Sequence, residues 1–215
     1  MSLDQARTSM IEQQVRSWEV LDGAVLEVMR EIPREEFVPQ AHRKLAFYDL
    51  RIPLGHGQVM MKPIEQGRVL QALLLKPDDR VLEIGTGTGF LTACLARLAG
   101  SVVSIEIIEA LAEQARANIG KTEAIELRFG DVLQADFQPA SFDAIVATSS
   151  VASVPQNLTA WLKPGGRLFI VRGQSPAMEA VLVTRTESAH LSEESLFDTD
   201  LPRLIGAEDA PSFKF

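Results

Sequence analysis

Residues 81–89 read Val-Leu-Glu-Ile-Gly-Thr-Gly-Thr-Gly, a short apolar run with one acid that passes directly into three alternating glycines. A strand of a parallel sheet is covered on both faces and reads as a nearly continuous apolar run. The crevice beyond its carboxyl end is where α/β sheets bind ligands. Gly85, Gly87 and Gly89 can adopt backbone angles closed to other residues and let a ligand lie against the main chain. The stretch therefore predicts one strand of a doubly wound sheet with a ligand loop at its end.

The nearby acids narrow the ligand. Glu83 stands two positions before the first glycine. A dinucleotide pyrophosphate is held by backbone N–H groups and a helix N-terminus, with no anion beside it. The G-x-G-x-G spacing also brings the third glycine one residue earlier than the G-x-G-x-x-G of nicotinamide and flavin sites. Both points disfavour a nicotinamide dehydrogenase. The next apolar run, residues 102–105, ends at Glu106, roughly 20 residues after the loop, where a ribose-binding carboxylate sits in a doubly wound sheet. Asp131 follows a further strand-like run, residues 125–129, and the turn residue Gly130. Carboxylates at three successive strand ends suit a ligand with a ribose, an exocyclic amine and positive charge, and no phosphate. S-adenosylmethionine, with its sulfonium and ammonium groups, fits that description. The competing reading is that each acid merely caps a helix or solvates a turn.

Composition bounds the rest. With 215 residues, 46% hydrophobic and 23% charged, the chain can bury a full core as one soluble domain. A net charge of −8 argues against a nucleic-acid partner held through phosphates, and the basic stretches 30–34 and 42–44 are too short to form a basic face. The single cysteine, Cys94, excludes an internal disulfide, fits a reducing compartment and is expected in the core. No apolar stretch approaches the ~18 residues of a membrane span, and the N-terminus shows no signal-type apolar region. A cytoplasmic protein without a membrane partner is expected. His42 and His190 carry no metal-ligand spacing, and no metal site is expected.

Periodicity and punctuation outline the elements. A first helix is expected over residues 5–17. Asp22 reads as the N-cap of a second, with Val25, Val28, Met29 and Ile32 at helical spacing before Pro33. Residues 34–62 carry Pro39, Pro53, Gly55 and Gly57 and read as irregular structure around a short helix at 42–47. Pro63 opens a helix that Lys76-Pro77 ends. Strand and helix then alternate: a helix at 90–99, another at 109–119 closed by Gly120, a strand at 142–148, a short helix at 155–162, a Lys-Pro-Gly-Gly turn at 163–166 and a strand at 167–171. Residues 180–186 and 191–197 read as an antiparallel pair at one edge. The expectation is a mostly parallel α/β/α sandwich in one domain, with residues 1–62 as an N-terminal helical and substrate-loop extension of a cofactor-binding core at 63–215. Trp18 and Trp161 are expected to pack.

Several stretches carry a resemblance. They are I-P-R-E-E-F-V-P at 32–39, F-Y-D-L-R-I-P-L-G-H-G-Q at 47–58, P-D-D-R-V-L-E-I-G-T-G-T-G-F at 77–90, S-I-E at 104–106, L-A-E-Q-A-R-A-N at 111–118, Gly130-Asp131, and L-K-P-G-G-R-L at 162–168. Together they make the chain similar, over nearly all its length, to the protein-L-isoaspartate O-methyltransferase family of S-adenosylmethionine-dependent enzymes. The glycine loop and P-G-G turn are common to many methyltransferases; the first two stretches are far more specific. The resemblance implies a Rossmann-like methyltransferase sheet with helices over the cofactor end, and a protein or peptide substrate with isoaspartyl residues. It implies that Glu83, Ile84, Gly85, Thr86, Gly87, Thr88 and Gly89 surround the methionine part of the cofactor. Glu106 would hold the ribose, Asp131 and Gly130 the adenine amine, and Ile107 and Val132 the ring, with Thr148 alongside.

The chain departs from the family beside the reacting group. After G-x-G-Q the family continues T-I-S-x-P, whereas Val59-Met60-Met61-Lys62-Pro63 stands here. Gln58, Val59 and Met61 are the catalytic positions the resemblance implies, with Met61 replacing the family's serine and Val59 its threonine. Thr148-Ser149-Ser150 replaces a T-A-A-like stretch, and in the tail at 202–208 Ile205 stands where relatives carry a hydroxyl. The leading reading is methyl transfer to isoaspartyl carboxylates. A less polar or small-molecule acceptor, and an inactive cofactor-binding relative, remain alternatives. His56 and Arg172 are read as contacts to cofactor or acceptor, or as residues satisfied locally.

Overall fold

The computed structural model describes residues 2–207. Ser2 caps α1 (Leu3–Met10), its hydroxyl accepting from the Gln5 N–H at 3.2 Å. The helix runs on through a π turn, Ile11–Val15, and a 3-10 turn, Arg16–Trp18, until Glu19 turns left-handed at φ 62°. The helical span expected at 5–17 is present but composite. Trp18 falls on its last turn and is 49% exposed, so it does not pack as expected. Asp22 caps α2 (Gly23–Glu31) by accepting from the N–H groups of Ala24 and Val25 at 2.8 and 3.1 Å.

The segment read as irregular is more ordered than expected. After the single turn of α3 (Arg34–Phe37) and a 3-10 stretch (Gln40–Leu45), β1 (Ile52–Gly55) and β2 (Gln58–Met60) form an antiparallel hairpin. His56 and Gly57 close it with φ of 53° and 72°, the left-handed angles that a two-residue hairpin turn needs. The Pro and Gly density that suggested a loop belongs to this tight hairpin.

From α4 (Pro63–Leu73) onward the alternation holds: β3 (Arg80–Ile84), α5 (Phe90–Leu98), β4 (Ser101–Glu106), α6 (Glu109–Ile119), β5 (Ile125–Phe129), β6 (Phe142–Val151), α7 (Gln156–Trp161) and β7 (Leu162–Gln174). The turn expected at 163–166 to lead into a strand lies within one instead. It is a register break inside β7, whose pairing to β6 jumps from Phe142↔Leu162 to Ala144↔Arg167. β8 (Ala177–Arg185) and β9 (Leu191–Thr199) add the expected antiparallel edge.

The seven strands lie in the order β5-β4-β3-β6-β7-β8-β9, parallel from β5 to β7. The chain steps outward from β3 to β5, then returns to lay β6 on the other side of β3. That reversal is the switch point of a doubly wound sheet, and a crevice opens there at the strand carboxyl ends. Alternate residues of each strand feed the two faces. Val81, Val102, Ala144 and Phe169 join one buried cluster with the N-terminal helices, α4 and α5, and Leu82, Val103, Ile145 and Leu168 join another with Val132, Leu158 and Trp161. Cys94 is fully buried in the first cluster, as expected. Gly67 lets the N-terminal helices close onto α4: a Cβ there would lie 2.8 Å from Val15 Cγ1 and 3.1 Å from Val20 Cγ2.

Candidate active site

The glycine loop is set by its neighbours as much as by its own freedom. Gly85 takes φ +88°, and a Cβ on it would lie 2.4 Å from Thr148 Oγ1. That hydroxyl donates to the carbonyls of Ile84 and Gly85 at 3.1 and 2.8 Å, tying the end of β3 to β6. Any side chain at 85 would break this tie.

Glu83 lies behind the loop rather than on the cleft wall, and is fully buried. Its Oε2 accepts from Thr92 Oγ1 at 2.5 Å and Ser104 Oγ at 2.6 Å. Because the Ser104 hydrogen is spent on Glu83, Thr86 donates the 2.6 Å bond that joins Thr86 Oγ1 to Ser104 Oγ. The other oxygen, Oε1, is buried and finds no partner among the described residues. Burial pushes the Glu83 carboxyl up to about 7, against the two hydroxyl bonds, and nearby Glu106 adds to the rise. A buried carboxyl with an idle oxygen is a group that a cation can stabilise.

Glu106 ends β4 on the cleft wall, 5% exposed. Oε2 accepts from the Gly87 N–H at 2.8 Å and Oε1 from the Ile108 N–H at 3.0 Å. Two backbone donors hold the carboxylate in one orientation and leave lone pairs for vicinal hydroxyls. Asp131 caps a 3-10 turn (Val132–Gln134), with Oδ1 accepting from the Leu133 N–H at 2.8 Å. Ile107 and Val132 line the same cleft, as do Ile84, Gly85, Thr86, Gly87, Thr88, Gly130 and Thr148. Gly89 stands outside the lining, at the N-cap of α5.

The cleft continues to a mouth built from the hairpin, the end of β6 and the tail. Gln58, Val59 and Met61 line it together with Met60, Ser149 and residues 203–205. Ser150 secures the tail: its N–H donates to Pro202 O and its carbonyl accepts from the Leu204 N–H, both at 2.8 Å, and its hydroxyl donates to Leu201 O at 2.7 Å. Arg203 lines the mouth and donates to Gly173 O at 2.6 Å and Ser150 Oγ at 3.2 Å. Of the tail considered from the sequence, Glu208 lies outside the described residues.

Sequence reasoning missed the group beneath this wall. Arg34 is fully buried and donates from Nε to Ala46 O and from Nη2 to Met61 O, both at 2.8 Å, and from Nη1 to Gln66 Oε1. Its guanidinium stands 5.1 Å from the centre of the Phe90 ring. Burial lowers its pKa to about 9, opposed by Cys94 and Glu65. The available signal was an arginine flanked by apolar residues and two prolines, in a stretch read as a short basic run and as part of the family-specific 32–39 match, but given no role of its own. Glu65, 5% exposed, makes a second tie by accepting from Arg51 at 2.7 Å, Thr199 Oγ1 at 2.8 Å and the Lys62 N–H at 3.0 Å. These bonds join the residue preceding β1 to α4 and β9.

Other candidates lie elsewhere. His56 is exposed at the hairpin tip. Arg172 pairs with Glu179 at 2.9 Å and with Glu193, away from the cleft. Among the described residues no group of three or more His, Cys, Asp or Glu side chains could hold a metal, and no helix is long and apolar enough to cross a membrane.

A family model described as protein-L-isoaspartate(D-aspartate) O-methyltransferase (PCMT) matches residues 5–199. A protein of Opitutus terrae named protein-L-isoaspartate O-methyltransferase is 43% identical over 182 residues, 83% of this chain and 78% of its own. One from Marinobacter nauticus, named protein-L-isoaspartate O-methyltransferase 2, is 36% identical over 212 residues, 97% of each chain. The fold is shared with a Plasmodium falciparum chain whose crystal structure contains S-adenosyl-L-homocysteine, at TM-score 0.82 and 20% identity, over 92% of this chain and 97% of that one.

Proposed function

Because the chain belongs to the protein-L-isoaspartate(D-aspartate) O-methyltransferase family, we propose that it methylates the side-chain carboxylate of L-isoaspartyl residues in proteins, with S-adenosylmethionine as donor. The observation that carries the reading is the charge arrangement of one continuous cleft. Its inner end is lined by Glu106 and Asp131 and backed by the idle oxygen of Glu83, while the one Arg or Lys of the cleft lining among the described residues, Arg203, comes from the tail at its mouth. Such a pocket suits a cation and repels a phosphate.

The residues present fit the donor. Glu106 holds the ribose hydroxyls, Asp131 with Gly130 the adenine amine, and Ile107 and Val132 the ring faces. Ile84, Gly85, Thr86, Gly87, Thr88 and Gly89 shape the methionine end beside Thr148, and Glu83 supplies negative charge from behind. The donor supplies an electrophilic methyl on a sulfonium sulfur. A carboxylate acceptor is already ionised near neutral pH, so no protein base has to remove a proton. What the chain contributes is placement, worth up to ~7–11 kcal/mol when two partners are held at attack distance.

Gln58, Val59 and Met61 form the acceptor side of the mouth, and Arg34 fixes the Met61 carbonyl from below. A hydrogen bond to a charged group contributes roughly 1.5–3 kcal/mol, about a ten- to hundred-fold effect. A methionine where the family has serine therefore slows transfer without abolishing it. The family matches favour this reading over a less polar acceptor or an inactive relative.

One assay tests it. Calorimetry is expected to show S-adenosylhomocysteine binding, and labelled S-adenosylmethionine is expected to yield base-labile methyl esters on an isoaspartyl peptide but not on its aspartyl counterpart. Binding without ester formation at high enzyme concentration would refute the acceptor assignment and leave the donor site standing.

A further inference from the structure

The mouth of the cleft is lined mainly by apolar side chains, among them Leu54, Val59, Met60, Met61 and Leu204. β6 delivers three consecutive hydroxyls to its edge, and two are already in use. Thr148 donates to the carbonyls of Ile84 and Gly85, and Ser150 donates to Leu201 O. Ser149 lines the cleft, is only 8% exposed, and its Oγ has no partner among the described residues. A buried hydroxyl without a partner lowers stability, and such a group needs an explanation. Here the explanation is a ligand that arrives with its own acceptor atom.

The surrounding charge says which kind. Arg203 lines the same mouth, and Arg34 bonds the carbonyl of Met61 from behind it. In a chain of net charge −8, one guanidinium lines this end of the cleft and a second is bonded to the backbone of one of its lining residues. The ligand it suits is an anion. Building on the isoaspartyl reading above, we propose that Ser149 donates a hydrogen bond from Oγ to the acceptor carboxylate and so selects a carboxylate against an apolar acceptor. Ser149 then touches the substrate and takes no part in holding the donor.

The test uses the full chain. Ser149→Ala is expected to lower kcat/KM for an isoaspartyl peptide about ten- to hundred-fold, and to weaken that peptide's binding to enzyme saturated with S-adenosylhomocysteine. Calorimetric affinity for S-adenosylhomocysteine itself should stay unchanged. Ser149→Thr, which keeps the hydroxyl, should retain most activity, and adding Met61→Ser to Ser149→Ala should recover part of the loss by supplying a hydroxyl from the hairpin side of the mouth. Wild-type peptide affinity and turnover in Ser149→Ala would overturn the proposal, as would a parallel loss of S-adenosylhomocysteine affinity, the mark of a structural role. A wild-type enzyme that binds S-adenosylhomocysteine yet neither binds nor methylates the peptide would instead refute the acceptor reading, and the role of Ser149 with it.

Discussion

Glu83 is a side chain that is costly to the fold, and the proposed function gives that cost a use at the site. Its carboxyl ionises near 7 because burial disfavours the charge, and its ordinary value is 4.5. In the folded state it therefore keeps its proton across a range where the unfolded chain has lost it. Its contribution to stability is intact below about 4.5 and is lost as pH rises through about 7. A cationic ligand favours the ionised form, so proton and ligand compete. We predict that affinity for S-adenosylhomocysteine, which keeps an ammonium group, rises between pH 6 and pH 8 by calorimetry. Glu83→Gln should bind more weakly at pH 8 with a flattened profile. The same variant should be more stable at pH 8, by up to about 3 kcal/mol, read as a higher thermal midpoint. An unaltered pH profile in that variant would separate Glu83 from the ligand. Arg34 is the complementary case, a buried cation whose three acceptors are two backbone carbonyls and one amide oxygen. A lysine cannot reproduce that fork.

At the scale of elements, the hairpin wall of the cleft depends on contacts distant in sequence. The β1–β2 hairpin is too short to stand alone. It is held by Arg51 to Glu65, Glu65 to Thr199, and Arg34 to the Met61 carbonyl. The N-terminal helices reach α4 only because residue 67 is glycine. Gly67→Ala tests two opposing effects. Helix propensity favours alanine by up to about 1 kcal/mol, while the added methyl would sit 2.8 Å from Val15 Cγ1. Overpacking of this kind costs typically ~1–3 kcal/mol, and the branched valine has little freedom to give way. A net loss of about 1 kcal/mol in urea unfolding is the expected outcome, and a gain would mean that the helices dock more loosely than described. Periodicity made α2, α6 and β5 legible with their boundaries because caps and turn residues mark them: Asp22, Gly120 and Gly130. The hairpin escaped notice because its strands span only Ile52–Gly55 and Gln58–Met60, too short for alternation to register. The π and 3-10 turns within the expected N-terminal helix escaped because apolar spacing does not distinguish α from π winding.

The whole molecule brings three separate stretches to one cleft: the hairpin, the ends of β3 to β6, and the tail at 203–205. A ligand spanning them should couple their unfolding. S-adenosylhomocysteine at a hundred times its Kd is expected to stabilise the native state by about 2.7 kcal/mol, seen as a rise in the thermal midpoint common to far-UV and tryptophan signals. Trp18 lies on the N-terminal helices and Trp161 on α7, so the two report from opposite faces of the sheet. Separate transitions for the two probes would show that the extension unfolds independently of the core.

The line of residues 81–89, the acids at 106 and 131 and the alternation around them determined by themselves the doubly wound sheet and the phosphate-free character of its ligand. Strand burial and turn chemistry are local properties, and local spacing records them. Only the tertiary structure decided that Glu83 lies behind the loop, that Arg34 is a buried clamp on Met61, and that Ser149 alone of three adjacent hydroxyls is left unpaired. Burial and hydrogen-bond satisfaction depend on which distant segment arrives to pack or accept. Neighbours in sequence carry no record of that.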